Sequence, residues 1–431
     1  MPPMRAVPFA AVLAAVLPAQ DHPALALERA VDFADAKQRR AAAQQLAARK
    51  DVTLAQWLEI CKAFGTVVAP GAGPHHDEVE LMPLGKAEKT LISWYVPKGY
   101  QPQTPAPLLL AMHGTGMDGR NEHLMWAPVA EKLGMLIVAP SESGKNEGYA
   151  FTERERQIAL LTVRWLRRRC NVDENRIYCS GESRGGHMTW DLALRRPDQF
   201  AALVPMIGGP MLNPADGLNN LRYLPSIAHL PIRDLQGSKD DPGLVFNLHV
   251  GFEILKHLGA KDAQLLEFEH LGHSFRFDAV KWEEWLPAAR REPFPTHLTL
   301  AFARPGEARA HWLEVTRYAS PVAENFKPKL TEKELEALNR KDEAARKRWW
   351  QAQTDQRTGV ARARREPGRI VLEGTGIAAA RLLLPEAAAT EVVFAGKVRT
   401  FAPRASATVL LTEFVERFDR SFLPVVELVV P

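Results

Sequence analysis

Cysteine is nearly absent, with 3 residues in 431, too few for a disulfide framework. Only Cys170 and Cys179 lie near each other, the first at an expected helix end and the second at the far end of the next strand. A strand of that length separates them by ~10 Å or more, beyond disulfide reach, so all three thiols are expected free and buried. Past the first residues no long apolar run occurs, which leaves no transmembrane candidate in the body of the chain. No block of Lys and Arg comes interleaved with aromatics, and the formal net charge is only +4. Neither feature gives a nucleic-acid footprint. Metal-ligand spacing is missing too: His75-His76-Asp77 are adjacent, and adjacent residues seldom converge on one ion. No metal and no cofactor is therefore expected. Ala24 to Phe64 contains neither glycine nor proline, which removes the usual breakers and reads as one or two helices ending at Gly65.

The hydrophobic share of 46% and the charged share of 25% are those of a globular chain with ample core, large enough for one large domain and smaller ones. MPPMRAVPFAAVLAAVLPAQ reads as a secretory signal. Arg5 is its only charge, Val7 to Leu17 is too short to span a bilayer, and Ala19 precedes Gln20 at a cleavage point. Residues 1–19 are thus expected to be a signal peptide and the mature protein to be exported, periplasmic or extracellular. The densest basic run, RWLRRRC from Arg164 to Cys170, reads as a solvated helix end where cations meet the negative end of the dipole.

GAGPHH (Gly71 to His76) reads as a linker, so residues 20–77 form a helical N-terminal segment. From Glu78 onward strand-length apolar runs alternate with helix-period segments. The runs are LISWYV, LLLAM (Leu108–Met112), MLIVA (Met135–Ala139), RIYCS (Arg176–Ser180), ALVPMIG (Ala202–Gly208), IRDLQ (Ile232–Gln236) and LLEFE (Leu265–Glu269). Short buried strands alternating with helices predict a mostly parallel sheet flanked by helices, an α/β domain over 78–293. Beyond Pro293, THLTLAFARP and HWLEVTRY alternate like antiparallel strands, and RIVLEG, AARLLLP, TEVVFAGKV and PVVELVV follow a charged helical piece, Thr331 to Gln353. Residues 294–431 are therefore expected to form a small β-rich accessory domain with a helical insertion.

CSGESRGGHMTW, from Cys179 to Trp190, sets Ser183 between glycines at the junction of a strand and a helix. This is the G-x-S-x-G nucleophile elbow, in which residues lacking a side chain let strand and helix approach while the serine stands clear. A serine nucleophile needs a base, an orienting acid and oxyanion donors. Asp240, on the GSKDDP turn past IRDLQ, is the expected acid, with Asp241 the neighbouring alternative and Asp234 inside the strand. His273, in LGHSF past the last sheet strand, is the expected base in preference to His270, and His187 is expected to pack. The oxyanion donors are expected at the backbone N–H of Arg184 and of Thr115 or Gly116 in HGTG, with His113 supporting that loop. HGTG lacks the lysine and spacing of a phosphate-cradling loop. The segment Pro210 to Leu230 is short, which predicts no large lid and an open site.

HGTGMDGR, NVDENRIYCSGESRGGHMTWDLALRRPDQFAALVPMIGG, GSKDDP and LGHS resemble the α/β-hydrolase superfamily. More narrowly they resemble exported bacterial esterases of the feruloyl-esterase, polyhydroxybutyrate-depolymerase and prolyl-oligopeptidase-like group, over roughly Glu78 to Ala289. One departure is Gln236-Gly237, where such relatives often carry His-Gly. The resemblance implies a Ser183–His273–Asp240 triad, a serine hydrolase cleaving carboxylic esters, and small-molecule or polymer-linked ester substrates. A peptidase or acyltransferase on the same triad is the alternative. A non-catalytic glycan or cell-wall binding protein, with contact through the C-terminal domain, is the third reading.

Overall fold

Odd and even residues of the central strands part to opposite sides of one sheet, as strand pleating requires. Leu108, Leu110 and Met112 enter one core cluster, and Leu109 and Ala111 enter another. In the computed structural model, which describes residues 22–65, 70–142, 148–213, 218–304, 306–319, 322 and 330–431, these residues belong to an eight-stranded sheet. Its strands are β1 (Gly73–Leu81), β2 (Glu88–Val96), β3 (Ala106–Met112), β4 (Leu136–Ser141), β5 (Val172–Glu182), β6 (Ala202–Met206), β7 (Ile232–Gly237) and β8 (Ala263–Phe268). The order across the sheet is β1-β2-β4-β3-β5-β6-β7-β8. The first two strands pair antiparallel, β2 lies antiparallel to β4, and the rest run parallel. Helices α4 (Gly119–Leu133) and α8 (Trp282–Ala288) cover one face; α5 (Glu153–Arg167), α6 (Arg184–Arg195) and α7 (Pro242–His257) cover the other. A parallel sheet must be covered on both faces, and here it is. This is the α/β-hydrolase fold.

The N-terminal helices α1 (Pro23–Asp32), α2 (Ala36–Ala47) and α3 (Leu54–Lys62) do not stand apart. Their apolar faces (Leu27, Leu46, Trp57) share a core with the C-terminal region, including Phe414 of α11 (Ala407–Arg417). That region carries a five-stranded sheet, with strands at 297–302, 359–366, 369–375, 390–394 and 397–401, and a four-stranded one. The charged insertion forms α9 (Glu332–Asn339) and α10 (Glu343–Asp355). The expected signal segment lies outside the described residues, and among them no helix is long and apolar enough to cross a membrane.

Four local readings need correction or addition. GAGPHH is not a linker throughout: β1 begins at Gly73 and runs across the boundary drawn at 77/78. Pleating there places His75 on the ring of Trp94, whose Nε1 donates to Asp77 at 2.7 Å, while His76 meets Ser93. The strand at 359–366 and the helix α11 had no counterpart in the sequence reading. RWLRRRC is not a solvated helix end. Arg164 donates to the carbonyls of Val31 and Glu416, and Arg167 to those of Arg417 and Phe418. These are carbonyls of the last turns of α1 and α11 and of Phe418, which caps α11, the groups a helix leaves unpaired. The α5 arginines therefore clamp both chain ends to the α/β unit. The three cysteines are free and buried.

A second polar layer joins the two units. Asp191 of α6 accepts from Arg156 and Arg195, each at 2.6 Å, and Arg195 reaches Glu307 of the C-terminal region at 2.9 Å. Beside it His229 and His311 stack edge to face at 5.9 Å. Burial drives their pKa values down to about 4 and about 3, opposed at both by the Asp198 carboxylate; at His311, His229, Arg291 and Arg417 push further down. Both imidazoles are thus neutral in the folded chain, whereas the unfolded chain takes up the same protons near about 6.5. Below that pH the unfolded state binds more protons, so stability falls as pH falls, with the loss growing down to the folded pKa values. The cost is on the order of 2 kcal/mol per histidine at about pH 5. Asp198, whose pKa is lowered because Arg417 and its neighbours outweigh burial, adds a loss of the same sign only below the ordinary Asp range. Urea denaturation between pH 7 and pH 5 is expected to show the decline. His311→Asn should remove about half of it, since asparagine tolerates the left-handed backbone (φ 49°) at this position.

Candidate active site

Ser183 sits where β5 ends and α6 begins, with φ 53° and ψ −116°. A non-glycine residue with positive φ costs on the order of 1–3 kcal/mol and persists only where its surroundings impose it. The surroundings here are backbone. The Ser183 N–H donates to Met206 O at 2.8 Å, and its carbonyl accepts from His187 N at 3.0 Å. A Cβ on Gly185 would fall inside the carbonyl of Met112 at the end of β3. The helix can therefore start under the sheet only if that residue has no side chain. Gly185→Ala is expected to cost at least about 3 kcal/mol in urea denaturation. Gly251→Ala, inside α7 with Pro210 Cγ 3.5 Å from the new methyl, should instead be neutral or stabilise by up to about 1 kcal/mol.

His273 Nε2 lies 2.8 Å from Ser183 Oγ, and its Nδ1 lies 2.8 Å from Asp240 Oδ2. Two loops bring these groups together. Lys239 N donates to Leu271 O at 2.8 Å and Ser238 N to Phe268 O at 3.1 Å, hooking the turn after β7 to the turn after β8. Burial alone would raise the Asp240 pKa, but the Asp241 N–H, the Gln236 amide and His273 hold it below its ordinary value. The Asp240 side chain is 8% exposed and that of His273 51%, so the acid is sheltered and the imidazole faces solvent.

The remaining candidates lie elsewhere. Asp241 caps α7, accepting from Leu244 N at 2.9 Å. Asp234 is buried in β7 against Trp190 Nε1 at 2.8 Å, and burial pushes its carboxyl well above the usual range. His270 is exposed beside Glu269, and His187 meets the backbone of Gly209.

The loop after β3 is held from behind by His113. Its Nε2 accepts from Glu142 N at 2.9 Å, so the proton sits on Nδ1, which donates to Gly114 O at 2.8 Å. Burial lowers the pKa of this ring, in keeping with a neutral tautomer that spans the loop. Thr115 and Gly116 follow, and their N–H groups have no backbone acceptor among the described residues. Arg184 opens α6, where the first N–H groups have no helical partner, and its guanidinium donates to Tyr149 O at 2.8 Å.

Two residues escaped sequence reasoning. Gln236, at the position where relatives often carry histidine, donates through Nε2 to Asp240 Oδ2 at 2.8 Å. Glu182 leaves its carboxylate close to the Cα of Gly114, with no ion-pair partner among the described residues. Burial raises its pKa against the pull of His273. The serine's neighbour in the motif was the available signal.

The segment Pro210 to Leu230 holds two short antiparallel strands, 212–213 paired with 218–219, and a 3-10 turn at Asn220–Ser226. Residues 214–217 lie outside the described residues. Helix α10 from the C-terminal region meets this segment at Asn219 and the start of α7 at Gly243. Asn219 Nδ2 donates to Thr354 Oγ1 at 2.6 Å, and Lys347 Nζ to Gly243 O at 3.4 Å, three residues past Asp240. Among the described residues no group of three or more His, Cys, Asp or Glu side chains could hold a metal ion.

No family model matches the chain. The poly(3-hydroxyalkanoate) depolymerase C of Paucimonas lemoignei is 30% identical over 128 residues, 27% of this chain and 30% of that protein. A bifunctional acetylxylan esterase/xylanase of Neocallimastix patriciarum is 26% identical over 117 residues, 26% of this chain and 17% of that protein. The chain thus spans less than a third of the length of either curated relative. A solved thermostable esterase matches with a TM-score of 0.39 and 23% identity, covering 50% of this chain and 63% of that one. By strand order and by its strained serine turn the central unit has the α/β-hydrolase fold, and the curated proteins it resembles are named a depolymerase and an esterase.

Proposed function

We propose that the protein is an exported serine esterase that cleaves carboxylic esters through an acyl-enzyme on Ser183. The relay from Ser183 Oγ through His273 to Asp240, at 2.8 Å and 2.8 Å on a strained turn, carries this reading. His273 Nε2 takes the hydroxyl proton as Oγ bonds to the ester carbonyl carbon. The C=O electron pair moves onto the oxygen, which accepts from Arg184 N–H and from Thr115 or Gly116 N–H. Collapse breaks the C–O bond, and the alcohol leaves with the proton from His273. Water, deprotonated by the same nitrogen, then releases the acid and restores Ser183. Asp240 accepts from Nδ1–H throughout, which keeps Nε2 free to act as base. The exposed imidazole suits bulky or polymer-borne esters.

The experiment is a p-nitrophenyl ester series of increasing acyl length beside aminoacyl nitroanilides, with fluorophosphonate labelling of the purified chain. Ester turnover well above nitroanilide turnover, with label on Ser183, is the expected result. Preference for nitroanilides would make it a peptidase. No turnover and no label would sink the enzyme reading.

A further inference from the structure

The basic run that clamps the chain ends has a further feature. Arg164 and Arg167 line a cavity of about 520 Å³ where α5 meets α2 and the C-terminal region, and neither Ser183, Asp240 nor His273 borders it. Six arginines face four carboxylates across its lining. Four of the arginines have ion-pair partners: Arg39 with Glu416, Arg196 with Glu153, Arg417 with Asp198, and Arg309 with Glu413. Arg164 and Arg167 have none among the described residues. Their hydrogen bonds end on the backbone carbonyls named above, which satisfy donors but carry no net charge. Arg167 is only 9% exposed, and its Nε has no acceptor. Burial pulls the pKa of Arg164 down to about 9 against the carboxylates of Glu416 and Asp32, and lowers that of Arg167 against those of Asp419 and Glu174, none of which closes to an ion pair with either arginine. Charges held this way are costly unless a counter-charge arrives.

We propose that this cavity binds a small molecule carrying a phosphate group, which supplies the direct ion-pair partner that Arg164 and Arg167 lack among the described residues. Phosphate fits on three grounds. A phosphate monoester carries about −1.5 to −2 charges at pH 7, enough for two guanidiniums. Its oxygens match the donor fork of arginine. The volume falls within the range of about 300–1,000 Å³ typical of small-ligand sites. Bound there, the anion also bridges α5 to both chain ends and tightens the contact between the two units.

Calorimetric titration of the full chain with inorganic phosphate, glucose 6-phosphate and acetate tests this. Saturable phosphate binding below about 1 mM, with none for acetate, is expected, and Arg164→Gln should weaken it at least tenfold. Uptake of glucose 6-phosphate at equal or better affinity assigns a phosphorylated sugar or similar ester; uptake of inorganic phosphate alone assigns the free ion. Arg164 also holds two helix ends, so a second variant guards against misfolding. Gln199 lines the same cavity, and Gln199→Glu places a carboxylate inside it. That variant should melt higher than wild type in phosphate-free buffer and bind phosphate at least tenfold more weakly. No saturable uptake up to about 20 mM, or equal affinity in wild type and Gln199→Glu, overturns the proposal.

Discussion

Replacing Ser183 with alanine is expected to lower kcat for activated short-chain esters by roughly 10⁴- to 10⁶-fold, with no label from a fluorophosphonate. The magnitude follows from what remains. Without Oγ no acyl-enzyme forms, and only oxyanion stabilisation and binding persist, worth about 10³–10⁴ over water. The fold should be untouched. Alanine carries the same backbone penalty at φ 53°, and no neighbour loses a buried partner, because His273 is half exposed and can bond to water. Unchanged urea denaturation beside lost turnover separates a nucleophile from a structural serine. Retained turnover at a tenth of wild type or more would refute the assignment.

Asp240→Asn should cost about 10³- to 10⁴-fold in kcat at neutral pH, near 4–5.5 kcal/mol of barrier. The carboxylate accepts from His273 Nδ1 at 2.8 Å and so selects the tautomer with its lone pair on Nε2. An amide nitrogen turned toward the ring would donate instead, moving the proton to Nε2 and leaving no base beside Ser183. The Asp241 N–H donates to the other oxygen, Oδ1, at 2.7 Å, so an asparagine is pressed to keep its oxygen there and its nitrogen at the Oδ2 position, toward the ring. The double variant Asp240→Asn, Ser183→Ala should be no slower than Ser183→Ala alone, since both act on one step. Additive losses would show that Asp240 acts elsewhere.

The central strands were legible because a parallel sheet is buried on both faces, so each strand is a short apolar run bounded by Gly, Pro or Asp. Ser183, Asp240 and His273 could be picked from motif and chain order, but their mutual distances could not, since these depend on loops hooked together through Lys239 and Leu271. Gln236 was visible only as a departure whose partner lay four residues on. The strand at 359–366, GVARARRE, hid because its buried positions are Gly359, Ala361 and Ala363, too small to register as an apolar stripe between arginines. RWLRRRC misled for a related reason. The charges of Arg164 and Arg167 end on carbonyls at Val31 and Phe418, more than a hundred residues away in either direction, and local patterning carries no trace of such partners. The wall that α10 adds beside the acid turn was equally invisible, because it arrives from another part of the chain.

The shared core of α1–α3 and α11 also fixes an order of events. Arg40 of α2 pairs with Glu416 of α11, 376 positions later. At a synthesis rate of about 5–20 residues per second, the first helices wait roughly 20–75 s for their partner. Closing so long a loop adds little to the equilibrium cost, which grows only with the logarithm of length, about 0.6 kcal/mol per doubling. Its effect falls on time instead. The α/β sheet can assemble from neighbouring segments, while Leu27, Leu46 and Trp57 keep apolar surface exposed until the last strands emerge. The interval before α1–α3 meet α11 is therefore the one in which this shared core is most exposed to aggregation.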